Sequence, residues 1–285
     1  DHGRIDFHPS LRDNPRLEFV FEGTRPNQLF LTNSVLQNLT VFRPVYDWFN
    51  ETLELLAPDS RFQYFERFIQ ENHDLYATMN DMLARLDTGI RHLGGEPVEL
   101  EQLPLPEAMK KDVAEQARQG QTVRIRLEGQ FNENIVVECD ESGAVRAKRV
   151  VSFHRGSDGE DVRFELKDES DGTRRVIDLL PAFLELGKPK QSKVYVIDEL
   201  DRSLHSQLTL RLLESYLNSC SMDTRSQLIF TTHDLLVMDQ ELLRRDEMWL
   251  LERTDHGLSD LIAVSEYQDA RHDKDIRKSY LQGRM

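Results

Sequence analysis

Two short apolar runs, VYVI at 194–197 and QLIF at 227–230, most constrain what this chain can fold into. Each stops abruptly in polar residues: the first in Asp198 and Glu199, the second in TTHD, which carries His233. A short run that is apolar throughout, rather than alternating, reads as a strand covered on both faces, which is the habit of parallel sheets. Residues 206–218 between the runs have the three-and-four spacing of a helix, and a crossover helix is what a parallel connection needs. Strand, helix, strand in this order predicts an α/β fold, a sheet with crossover helices. The carboxyl ends of such strands face the crevice where α/β proteins bind ligands, so the polar tails become candidate functional residues.

Upstream the period changes. LEFVF and QLFL, around a turn-like EGTRPN in residues 17–31, read as two strands. From Val41 the apolar spacing is helical: Val45, Trp48, Phe49, Leu53 and Leu56, then Phe62, Phe65, Phe68 and Ile69, then Leu75, Met79, Met82, Leu83 and Leu86. Residues 96–106 read as a connector and 108–119 as a short polar helix. The period then drops to two in TVRIRLEG, IVVEC, RVVSF and VRFELKD, with turns at NEN, DESG and GSDGED, which predicts a small antiparallel β region. Beyond it, 174–186 and 235–244 read as helices, and EMWLLER and LSDLIAVSEY as two strands. The expected organisation is therefore 1–40 as strands of a head domain, 41–119 as a helical lobe and connector inserted in it, 120–168 as the β region, and 169–285 as the second half of the head.

Charge narrows the partners. A formal net charge of −15 disfavours broad non-specific nucleic-acid binding, which rests on Lys and Arg neutralising phosphates. Basic clusters at Arg146, Lys148 and Arg149, and at Arg271, Lys274, Arg277 and Lys278, remain as candidate DNA contacts, although solvated faces balanced by acids account for them as well. No apolar run reaches the length of a membrane span and the first residues do not resemble a leader peptide, so no membrane partner is expected. Cys139 and Cys220 cannot build a disulfide framework and suit a reducing cytoplasm, and no CxxC or HExxH spacing supports zinc.

The chemistry concentrates after residue 168. Asp198 at a strand end is placed to hold Mg²⁺, and Glu199 beside it to polarise an attacking water. The imidazole of His233 at the next strand end can hydrogen-bond a terminal phosphate. Ser170 and Gly172, in ESDGT ahead of the helix, fit a plain helix cap. They also fit an anion site, where a hydroxyl, free backbone N–H groups and the positive helix end converge. RSLH at 202–205 follows the acids directly.

Ser-x-Gly before a helix, then a strand ending in Asp-Glu, a short loop, and a strand ending in TTHD resembles the ABC-type ATPases, the superfamily of the SMC and RecF-like proteins. In that comparison Ser170 and Gly172 match the signature loop, Asp198 and Glu199 the Walker-B acids, 202–205 the D-loop and His233 the switch histidine. ESDGTRR, IDELDRSLH, QLIFTTHD and YLQGR, with RPNQLFL and FRPVYDWF, are more similar still to a prokaryotic branch found in antiviral-defence and restriction-linked loci. The resemblance implies a subunit that binds and hydrolyses ATP with Mg²⁺. It also implies a head-to-tail dimer around two nucleotides, and a controlled partner effector such as a nuclease. It further points to Gln37 as a contact to metal and attacking water, with a surface or capping role as the other reading. One departure stands out: none of the 14 glycines opens a GxxxxGK(S/T) loop, and Gly187-Lys188 is followed by Pro with Ala182 where the first glycine belongs. The expectation is that this loop lies in a segment upstream of the sequence. Alternatives are an ATPase of DNA repair and recombination, a metal-dependent nuclease using the acids of DELD, and a scaffold that keeps the fold without binding nucleotide.

Overall fold

The computed structural model describes residues 8–11, 14–58, 75–127, 133–140, 142–254, 256–267 and 276–283. In chain order the elements are α1 (Pro15–Glu22), α2 (Phe30–Leu36), α3 (Arg43–Asp47), β1 (Leu53–Leu56), α4 (Tyr76–Arg85), β2 (Ile90–Val98) and α5 (Glu107–Arg118). There follow β3 (Val123–Leu127), β4 (Glu133–Cys139), β5 (Val145–Arg155), β6 (Asp161–Glu165) and α6 (Asp171–Leu186). The last are β7 (Val194–Ile197), α7 (Ser206–Ser219), β8 (Gln227–Phe230), β9 (Trp249–Arg253), β10 (Ser259–Ala263) and α8 (Ile276–Leu281).

The mixed α/β fold expected from the two apolar runs is present. β7 lies in the middle of a three-stranded parallel sheet in the order β1-β7-β8, with Leu53–Leu56 and Gln227–Phe230 in register along its two sides. The antiparallel sheet has the order β2-β5-β4-β3, with β6 on the far side of part of β5. Its alternation sorts side chains to two cores, as period two requires. Ile135 and Val137 of β4 join Val113 and Ala117 of α5 in one cluster, while Val136 between them joins the main core. That main core is built around α6, whose Val176, Ile177, Leu180 and Phe183 pack with Tyr195 and Ile197 of β7, Leu212 of α7 and Met79 and Leu83 of α4. Leu93 and Val150 of the antiparallel sheet belong to the same cluster. One helix thus touches both sheets, and its N-terminus is the segment that links them.

Several elements differ from the expectations. LEFVF lies in a helix and QLFL runs into the start of one, and neither is a strand: Asn14 caps α1 by accepting from the Arg16 N–H, Pro15 sits at the first turn, and Leu17 and Val20 bury one face. Asn33 of α2 then donates to the Val20 carbonyl and locks the two helices together. Leu53–Leu56, expected as helix, is β1: Leu53 and Leu56 fit the helical period and Leu53 and Leu55 the strand period, and pairing with β7 decides. β2 (Ile90–Val98) begins within the stretch expected as helical lobe and ends in the first residues of the expected connector, and its Gly94, Gly95 and Pro97 disguise a strand. It is an edge strand, where proline is tolerated, and a Cβ at Gly94 would lie 2.8 Å from the Phe153 ring. The helix expected at 235–244 shrinks to the 3₁₀ turn Leu235–Val237, because Asp234 and Asp239 spend their carboxylates on nearby N–H groups at Leu236 and Glu241. Phe62, Phe65, Phe68 and Ile69 lie outside the described residues.

Among the described residues, β1 and β8 each pair on one side only. Leu55 and Ile229 on them are exposed, as are Trp249, Leu251 and Leu261 on the β9–β10 hairpin, where Leu251 stands directly opposite Leu261. Among the described residues no helix is long and apolar enough to cross a membrane.

Candidate functional site

The carboxyl ends of β7 and β8 meet as adjacent parallel strands must, and the loops leaving them are stitched together. The Leu200 N–H donates to the Thr231 carbonyl at 2.9 Å and the Thr231 N–H to the Ile197 carbonyl at 3.0 Å, extending the ladder past the strand ends. The Thr231 hydroxyl does the finer work. It donates to Asp198 Oδ1 at 2.5 Å and accepts from the Glu199 N–H at 2.8 Å, so one side chain orients both acids. Glu199 itself sits at φ 48, in the left-handed region that a branched or long residue rarely adopts. Such a strained non-glycine residue at a strand end marks a position where geometry is held against backbone preference.

Around this pair, His233 Nε2 lies 3.9 Å from Glu199 Oε1 and Arg202 Nη1 lies 3.9 Å from Glu199 Oε2. The His233 N–H donates to Asp201 Oδ1 at 3.3 Å, which ties the loop after β8 to the loop after β7. The His233 side chain is 84% exposed and Glu199 is 40% exposed. The pair therefore faces solvent, where an incoming ligand can reach it.

Ser170 and Gly172 open α6. Ser170 is its N-cap, with Oγ accepting from the Thr173 N–H at 3.0 Å and paired with the Thr173 hydroxyl at 2.8 Å. Gly172 has a packing reason to be glycine: a Cβ there would stand 2.7 Å from the Ser203 carbonyl oxygen. Ser203 is at φ 62, so the turn after β7 bends back to meet the start of α6. The preceding residue, Glu169, is buried and accepts from the Ser152 hydroxyl at 2.5 Å; His154 Nε2 lies 2.6 Å from the same oxygen.

The fold therefore brings together Asp198, Glu199 and His233, and joins Gly172 and Ser170 to them through Ser203. Gln37 ends α2, and its backbone carbonyl accepts from Arg16 Nη2 at 3.4 Å. No contact described for Gln37 reaches the strand-end acids. Two residues escaped the sequence reading. Thr231 was visible as the first threonine of TTHD, but a hydroxyl at a strand end has no distinctive signature. Glu169 stood in ESDGT, yet its partners lie in β5, and sequence alone does not pair them.

A family model described as "AAA domain, putative AbiEii toxin, Type IV TA system" matches residues 11–239, well over half of the chain. The chain belongs to this AAA-domain family. The match spans α6, β7, α7 and β8 and so contains every site residue described above. No curated protein matches the chain.

For an AAA domain the associated group is ATP with Mg²⁺, and the donors at the strand ends fit it. Mg²⁺ prefers oxygen ligands, and takes one or two carboxylates with the rest of its shell from phosphates and water. Asp198 keeps a second carboxylate oxygen beyond the one Thr231 engages. Among the described residues no set of three or more His, Cys, Asp or Glu side chains forms a metal cage of its own.

The basic clusters resolve differently. Arg146 pairs with Asp140 at 2.9 Å, Lys148 with Glu138 at 2.8 Å and Arg149 with Glu96 at 3.4 Å, so this cluster is internally neutralised. The Ser142 hydroxyl and then the Arg146 guanidinium hold the Asp140 carboxyl well below the usual carboxylate range. Arg277 stands 3.9 Å from Asp239, while Arg271 and Lys274 lie outside the described residues.

Proposed function

We propose that this AAA domain works as an ABC-type ATPase clamp that closes on a second copy around ATP and passes the open or closed state to a partner effector. The observation that carries the reading is the Thr231-held pair Asp198 and Glu199, with His233 3.9 Å away at the end of the neighbouring parallel strand. When bound, Mg-ATP supplies an electrophilic phosphorus whose oxygens the metal neutralises. Asp198 holds the metal side of the site. Glu199 orients the attacking water and accepts its proton, and its carboxylate stays aimed because the backbone N–H is anchored on Thr231. His233 donates a hydrogen bond toward the terminal phosphate and, by lying against Glu199, ties phosphate occupancy to the position of the base. Ser170 and the N–H groups of the first α6 turn form a surface for the phosphate held by the other copy. Nothing in these residues cradles the inner phosphates, since no GxxxxGK(S/T) loop occurs, so the reading requires that cradle from outside this sequence.

A role in anti-phage defence, with an effector such as a nuclease, follows from the resemblance of ESDGTRR, IDELDRSLH and QLIFTTHD to ATPases of defence loci. The family description, which names a toxin and a toxin–antitoxin system, supports a two-protein arrangement. The deciding experiment uses Glu199→Gln in a protein that carries the phosphate loop. Hydrolysis is expected to fall by about 10²–10⁴-fold, the usual contribution of a general base, while an ATP-bound dimer accumulates. Unchanged hydrolysis would remove Glu199 as the base and the clamp reading with it.

A further inference from the structure

We infer that Glu169 is a positioning residue through which the antiparallel sheet sets the place of the Ser170–Gly172 turn. The inference rests on the phosphate-turn reading of Ser170 for its functional meaning, though its geometry stands independently.

Glu169 and Ser170 both have polyproline-like backbone, with ψ of 151 and 156, in which successive side chains diverge by about a third of a turn. Ser170 points out to cap α6, whereas Glu169 points in and is 9% exposed. Burying a carboxylate is costly unless donors compensate it. Here both polar partners come from β5. Ser152 and His154 are two residues apart, hence on one face of the strand, and both reach Glu169 Oε1, at 2.5 Å and 2.6 Å. Phe164 of β6 packs against the His154 ring with centroids 4.6 Å apart, so the imidazole is held from the sheet side as well. Charge-assisted bonds of this kind are short and directional, and they couple the two bodies they join.

The linkage continues past the turn. Gly172 is in contact with the Ser203 carbonyl, Ser203 follows Asp201 and Arg202, and Asp201 holds the His233 backbone. A shift of β5 therefore has a continuous path to Ser170, and from Gly172 to the loops carrying Glu199 and His233. The backbone of β6 also runs through Leu166–Asp168 into the turn, and Glu169 adds to that covalent route a side-chain link straight from β5.

The test is amide exchange on this chain for the wild type, Ser152→Ala, Glu169→Gln and the double variant. It reads the Thr173 and Arg174 amides, with the Leu180, Ala182 and Phe183 amides of the same helix as the control for folding. Each single variant should speed exchange at Thr173 and Arg174 by about tenfold while the control amides stay protected. The double variant should add little to the larger single effect, because both changes break one link. Unchanged exchange at Thr173 in Ser152→Ala, a mild substitution, would overturn the inference. So would fully additive effects, which would mean that Glu169 and Ser152 act separately. Failure of Ser170→Ala to weaken ATP-driven association in the loop-bearing protein would remove the phosphate role and leave the sheet-to-turn link intact.

Discussion

At the scale of single residues, strain and hydrogen bonding at the two strand ends make definite demands. Thr231→Val keeps shape but deletes the hydroxyl that serves both Asp198 and the Glu199 N–H. It should cost about 0.5–1.5 kcal/mol in urea unfolding, the ordinary worth of a hydrogen bond, with a larger proportional loss of ATP turnover in the loop-bearing protein. Glu199→Gly should act the opposite way on stability. Glycine accepts φ 48 without penalty, so the melting temperature should hold or rise slightly while activity disappears, which is the signature of a site that trades stability for function. Gly172→Ala would drive a methyl group to 2.7 Å from the Ser203 oxygen, and overpacking of that kind costs about 1–3 kcal/mol by calorimetry. Asp198, Glu199 and His233 were legible from sequence because apolar strands end at them. Thr231 and Glu169 were not, because their roles come from partners about thirty and about seventeen residues away, at distances a local pattern does not encode.

Among elements, β7 carries a second titratable feature. Burial first, and then the hydrogen bond that its hydroxyl donates to Glu185 Oε2 at 2.7 Å, push the Tyr195 phenol well above its ordinary value. A folded-state pKa raised above the unfolded one adds stability that is complete below about pH 10 and drains away as pH rises beyond it. Alkaline unfolding followed from pH 8 to pH 11 should therefore steepen near pH 10 in the wild type, and Tyr195→Phe should flatten that limb. The elements themselves were read with uneven success, for identifiable reasons. Long or strictly alternating segments, α6, α7, β3, β4 and β5, declared their period. β1 did not, since four residues satisfy two periods at once, and β2 did not, since its glycines make room for Phe153 and Lys148 rather than breaking the strand. LEFVF favoured a strand by composition, but Asn14 and Pro15 supplied a helix start just upstream and prevailed.

For the whole molecule, net charge and its placement point the same way. Arg146, Lys148 and Arg149 of β5 are already paired with Asp140, Glu138 and Glu96. Lys148→Ala combined with Arg149→Ala should therefore change affinity for duplex DNA at physiological salt by less than about twofold in fluorescence anisotropy, because few phosphates would lose a partner. The general α/β architecture was legible from two apolar runs, whereas the way α6 joins two sheets was not, since that depends on which side chains share one core. One consequence reaches the laboratory bench. Among the described residues the outer strands of the parallel sheet pair on one side only and carry exposed Leu55 and Ile229, and an edge of that kind is a template for further strands. Concentrated stocks of this chain are therefore expected to scatter more light with storage time, and Ile229→Lys on the outer strand should slow that rise.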